Sequence, residues 1–181
     1  MATLCPRVDE RLTILRQAAR MRWPFLLLLF TACTPVKEEV LRSYDDWLGT
    51  TSFTTNEREV YRAPDGDGLM TARPVIVLGP KGRAYGVLTN VRRRDSNAPK
   101  LERVTSGGIT LAYTAHDRRY THCIDGCQRA EVGVIALTEE TFRMATRTGL
   151  PLRAWGKRGR YDGTVPAEAF ARVLAQADAA H

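Results

Sequence analysis

The chain has 181 residues, with 27 Lys plus Arg against 20 Asp plus Glu and a formal charge of +7. That length holds one domain with a leader, and 44% hydrophobic with 26% charged residues excludes a disordered tail, a collagen and a polytopic membrane protein. The basic excess is spread along the chain, which bears on solubility and is no nucleic-acid footprint.

Residues 1 to 20 carry Arg7, Asp9, Glu10, Arg11, Arg16 and Arg20 in a weakly amphipathic pattern, and Met21 is the expected true start of translation. From Met21 the sequence gives a basic residue, a short apolar run through four leucines, then small residues ending at Cys33. A permanent transmembrane helix needs roughly 20 apolar residues, so this run reads as the core of an export signal. Phe30-Thr31-Ala32-Cys33 resembles the lipobox of bacterial lipoproteins, with Phe30 where that family usually has leucine. The resemblance implies cleavage before Cys33, diacylation of its thiol and commonly acylation of the new amino terminus. Thr34 in place of aspartate after the cysteine implies, on the same resemblance, passage to the outer membrane of a two-membrane bacterium. The leader, 1–32, takes five basic and two acidic residues with it and leaves a charge of +4.

Residues 33–50 are expected to form a tether and a helix, because Thr34-Pro35 suits a helix start and Val36, Val40, Tyr44, Trp47 and Leu48 make an apolar stripe ending at Gly49. That face would pack on the domain or lie on the nearby membrane. Residues 51–181 are expected to be one globular domain. Its first stretch is polar, with one strand near Val60-Tyr61, and Pro64 to Gly68 is a turn whose Asp-x-Asp-Gly spacing lacks the remaining ligands of a calcium loop. Val75–Leu78 and Tyr85–Val91 then read as a hairpin about Gly79-Pro80-Lys81-Gly82. Arg92-Arg93-Arg94 opens a loop that could grip the phosphates of lipid head groups, lipopolysaccharide or nucleic acid. A solvated charged loop is the plainer reading, since no aromatic platform accompanies the run.

Leu101–Thr105 and Ile109–Tyr113 form a second hairpin about Ser106-Gly107-Gly108, and Val132–Leu137 is a central strand. Thr138 is placed to cap a helix with Glu139 and Glu140 in its first turn, a Leu137/Phe142 staple, and Arg143 and Arg147 before Gly149. Leu152–Trp155 and Arg160–Val165 make a third hairpin, and Pro166 starts a last helix with Phe170, Val173, Leu174 and Ala177 on one face. The expected fold is α+β: an antiparallel sheet of about six strands with an N-terminal, a late inserted and a C-terminal helix.

The chemistry-bearing residues cluster at one corner, where His116, His122, Cys123 and Cys127 fall within twelve residues. An even pair of cysteines in an exported chain points to a Cys123–Cys127 disulfide across the Asp125-Gly126 turn. The alternative is a metal or thiol-redox site, since two thiolates and two imidazoles suit zinc and thiolates suit Cu(I). Cys123-Ile-Asp-Gly-Cys127, the strand after it, the helix ending in Thr148-Gly149-Leu150, the hairpin and Val165-Pro-Ala-Glu-Ala-Phe170 are similar to the C-terminal half of invasion-associated locus B proteins, over about residues 108 to 175. That resemblance implies an exported envelope protein with a disulfide at Cys123 and Cys127 and carries over no active site.

Catalysis finds little material. The histidines are His116, His122 and His181, the serines are Ser43, Ser52, Ser96 and Ser106, and neither a Gly-x-Ser-x-Gly elbow nor a glycine-rich phosphate loop is present. The expected function is therefore that of a lipid-anchored envelope protein, a structural or binding module facing the periplasm. It would act without a cofactor or resident metal, and its partners would be the membrane, through lipid, and an envelope protein or acidic head group; nucleic acid is not expected. The competing expectation is a periplasmic metal or thiol handler using His122, Cys123 and Cys127.

Overall fold

Twelve consecutive residues of one strand, Gly68–Gly79, organise the protein. The computed structural model describes residues 39–94, 99–122, 128–157 and 159–180. Its elements are β1 (Leu41–Asp45), β2 (Thr50–Thr54), β3 (Arg58–Arg62), β4 (Gly68–Gly79), β5 (Gly82–Arg93), β6 (Leu101–Ser106), β7 (Ile109–His122), β8 (Gln128–Leu137), α1 (Glu139–Thr148), β9 (Leu150–Gly156), β10 (Gly159–Val165) and α2 (Ala167–Ala179). All strand pairs are antiparallel, in the order β1-β2-β4-β5-β8-β7-β6-β9-β10, and the sheet curls into a half-barrel.

The α+β expectation of about six strands and three helices is overturned: the described residues hold ten strands and two helices. The expected N-terminal helix is a hairpin instead. Asp45 Oδ1 accepts from the backbone N–H of Trp47 (3.0 Å) and of Leu48 (3.1 Å), which closes a turn between β1 and β2. The threonine-rich Thr50–Thr54 then takes Leu41–Asp45 as its strand partner. Every residue of β1 is exposed, and of the described part of the apolar stripe Val40, just before the strand, packs against the core while Tyr44, Trp47 and Leu48 stay outside it. The segment read as one strand near Val60 is two, β2 and β3, lying end to end along the same edge of β4.

Pro74 explains the break between them. Its carbonyl accepts from Thr54 Oγ1 at 2.7 Å and so faces the β2/β3 side, and within a strand a residue's nitrogen faces the same way as its carbonyl. The missing N–H therefore falls where β2 pairing stops at Thr54↔Val75 and β3 pairing starts at Arg58↔Ala72.

Along β4 the alternate residues Met70, Ala72 and Ile76 are buried, and they meet Val91, Thr89 and Tyr85 across β5. The helices cover this face. Phe142 of α1 lies 5.3 Å from the Tyr85 ring and stacks edge-on with Phe170 of α2 at 4.9 Å, and both phenylalanines are fully buried. The expected capping of α1 is present: Thr138 Oγ1 accepts from the Thr141 N–H at 3.1 Å, and Gly149 at φ 72° donates to the Ala145 carbonyl at 2.9 Å. At the far end of the sheet β10 comes back against β3 without joining its ladder, and Tyr61 and Tyr161 meet edge-on at 5.4 Å.

Candidate functional site

Cys33, Cys123, Cys127 and Ser96 lie outside the described residues. The register around the cysteine corner is nonetheless informative. His122 ends β7 opposite Gln128, which begins β8, so in sequence Cys123 directly follows and Cys127 directly precedes the last described pair of that ladder. His116 is not part of the corner. It sits exposed in a bulge between Ala115 and Asp117, six strand residues before His122, a distance of about 20 Å at roughly 3.3 Å per residue. Among the described residues no three metal-ligating side chains come together. Ser43 faces Ser52 across β1 and β2, and Ser106 ends β6 at a turn.

A disulfide around so short a loop contributes about 2 kcal/mol on chain entropy. The Cys123→Ala/Cys127→Ala protein is therefore expected to melt about 5–10 °C below the unreduced wild type with its circular dichroism spectrum retained. Equal melting temperatures would show the pair unbonded.

The arginine run is not a loop at its start. Arg92 and Arg93 finish β5, and both meet carboxylates: Arg92 Nη2 lies 3.6 Å from Glu57 Oε2, and Arg93 Nη2 donates to Asp67 Oδ2 at 2.9 Å. Nearby Arg62 forks onto Glu59, with Nε to Oε1 at 2.8 Å. The hydrogen bond from Arg62 is the main cause holding the Glu59 carboxyl below its ordinary range. Arg62, Arg92 and Arg93 each have an acidic neighbour, so the local field is weaker than three adjacent arginines imply.

A basic and aromatic surface that sequence reading missed lies on the outward side of β6, β9 and β10. Val104, Leu152, Ala154 and Tyr161 point inward and are buried. Alternation therefore turns Arg103, Arg153, Trp155, Arg160 and Asp162 outward. The registers Arg103↔Trp155 and Arg160↔Trp155 place an arginine directly across from each side of one tryptophan, making a three-strand rung. The next rung is Thr105, Arg153 and Asp162.

The Arg103 guanidinium carbon stands 4.1 Å from the indole centroid, and that of Arg153 stands at 6.0 Å. Asp162 Oδ2 lies 3.0 Å from Arg160 Nε and 3.4 Å from Arg153 Nε. An open trough of ≈ 680 Å³ runs over Arg103, Arg153, Trp155 and Asp162 toward Gly107 and Gly108. Two guanidinium groups line it against one carboxylate, with Arg160 beside them, which leaves it positive, and the indole carries the Arg103 guanidinium on its face. The spacing Arg153-x-Trp155 was visible in the sequence, but Arg103 joins it only through the β6–β9 register.

Glu131 was also unforeseen. It is fully buried on β8, and its Oε1 accepts from the Leu101 backbone N–H at 3.0 Å and from the Tyr113 hydroxyl at 2.9 Å. The Tyr113 ring reaches it by crossing Gly133, where a Cβ would fall 2.3 Å from the hydroxyl oxygen. This carboxylate ties the start of β6 to β7 and β8, which steadies the strand carrying Arg103.

No family model, curated protein or solved structure matches the chain.

Proposed function

We propose that the chain is an exported, non-catalytic binding module, held on an envelope membrane by lipid on Cys33, that recognises the phosphate of an acidic head group on the outward face of β6, β9 and β10. The Arg103–Trp155–Arg160 rung carries the reading. Asp162 engages the Nε edges of Arg153 and Arg160 and fixes their planes, which leaves the Nη nitrogens as donors to a phosphate in the paired geometry that arginine favours. Trp155 holds the Arg103 guanidinium on its face and so steadies the plane from which that arginine donates. The anchor rests on Phe30-Thr31-Ala32-Cys33 and the apolar run before it.

Two measurements test the two halves. Metabolic labelling with radioactive palmitate is expected to mark the wild type and not Cys33→Ser, which should leave the membrane fraction or remain unprocessed; equal labelling would remove the anchor. Glycerophosphoglycerol, a head group without acyl chains, is expected to perturb Trp155 fluorescence saturably. Arg103→Ala should weaken that binding about tenfold, the worth of one charge-assisted hydrogen bond with its stacking. An unchanged affinity would remove the face from consideration.

A further inference from the structure

The turn joining β1 to β2 carries the most exposed aromatic residue described in the chain. Trp47 is 95% exposed and its neighbour Leu48 62%. Nothing in the turn is slack: Asp45 Oδ1 accepts from both of their backbone N–H groups, and the Asp45↔Thr50 pair closes the hairpin below them. An indole and a leucine are thus held side by side at a tip, on an edge strand that hydrogen-bonds only β2 among the described residues. Tyr44, at 61% exposure, stands one residue below the turn's aspartates. Burial of such groups would ordinarily stabilise the fold, so their display calls for something outside the domain to receive them.

We infer that the tip of the β1–β2 hairpin inserts Trp47 and Leu48 into the head-group region of the membrane that holds Cys33, as a second, non-covalent contact. The location rests on the anchor reading above; the tip chemistry stands on its own. Eight residue steps separate Cys33 from Leu41, a reach of at most about 28 Å when extended. The five residues of β1 span about 17 Å. The tether is therefore longer than the strand and can let the hairpin fold back until its tip meets the surface from which the chain starts.

Tryptophan is the residue that favours this depth, its ring apolar and its N–H able to hydrogen-bond in the wet interface. The charges set the limit. Asp45 and Asp46 sit beside the tip, so insertion stops at the two apolar side chains and favours a weakly charged surface, such as one rich in phosphatidylethanolamine, over a strongly anionic one.

The test uses the full chain with Trp23→Phe and Trp155→Phe, which leaves Trp47 as its one indole. In phosphatidylethanolamine-rich vesicles its emission is expected to shift to the blue and to be quenched by lipids brominated near the head group. Accessibility to aqueous iodide should fall about tenfold relative to the lipid-free protein. In a Cys33→Ala background, Trp47→Ser/Leu48→Ser should lower partition to the same vesicles about tenfold.

Trp47 as open to iodide with vesicles as without them would overturn the inference. A blue shift that depends on protein concentration and not on lipid would overturn it too, in favour of a second copy of the chain. Palmitate labelling separates the two readings: a labelled chain with a wet Trp47 removes the hairpin contact alone. An unlabelled chain with a lipid-quenched Trp47 removes the anchor and keeps the hairpin.

Discussion

Glu131→Ala is expected to cost about 3–4 kcal/mol of unfolding free energy in urea denaturation, because it strands two donors inside the protein and opens a cavity around them. Oε1 of this fully buried side chain accepts from the Leu101 N–H and from the Tyr113 hydroxyl. Glu131→Gln keeps a carbonyl oxygen in the same place and should lose clearly less. Gly133→Ala attacks the same arrangement from beneath, since the new Cβ would displace the Tyr113 ring. Its effect should largely vanish in a Tyr113→Ala background, so the two losses should fall short of additive by about 1 kcal/mol or more. Additive losses would mean that the ring and the glycine act separately.

The second large effect is expected at the seam between β3 and β10. A Cβ on Gly163 would fall 2.1 Å from the Val60 carbonyl oxygen and 2.7 Å from its carbon, both backbone atoms with no rotamer to yield. Gly163→Ala must therefore push the two strands apart, and Gly163→Val further still. A loss of about 3 kcal/mol or more follows from the overpacking. Hydrogen exchange locates it: amides of β10 and the Tyr61–Tyr161 contact should lose protection first, while α1 and α2 keep theirs on β4 and β5. Uniform loss across the sheet, or none, would contradict a seam.

The elements legible in the sequence were those whose signals are local. Thr138, Glu139 and Gly149 announce α1 through its caps, and Gly156 to Gly159 announce the β9–β10 turn. The helix expected at residues 35 to 48 failed because spacing of three and four records only that apolar residues could share a face. Trp47 and Leu48 belong to a turn and Tyr44 to an exposed strand. Strands were missed where threonine-rich composition or a mixture of small and polar residues hides alternation, as at Thr50–Thr54 and the first half of β4.

The site divided the same way. Arg153 and Trp155 stand two apart on one strand, whereas Arg103 meets them only through a pairing fifty residues apart in sequence, which no local pattern encodes. For Arg92 and Arg93 the sequence hid the acidic partners, Glu57 and Asp67, which lie on other segments.

The position of Gly163 in chain order has a consequence for how the protein comes into being. β3 is among the first strands to emerge from a translating or translocating channel, and the strand that rests on it, β10, is the last. The intervening partners of β5 and β6, namely β8 and β9, are late as well, and α2 reaches back to ion-pair Glu168 with Arg58 across 110 residues. The strands β1 to β5 can pair among themselves as they appear, but the edge of β5 that β8 takes, the face that the two helices cover and the seam that β10 fills all stay open until the last third of the chain is free. The core therefore closes only when the end arrives, and the first half of the protein waits with one long strand edge open for the second half to complete it.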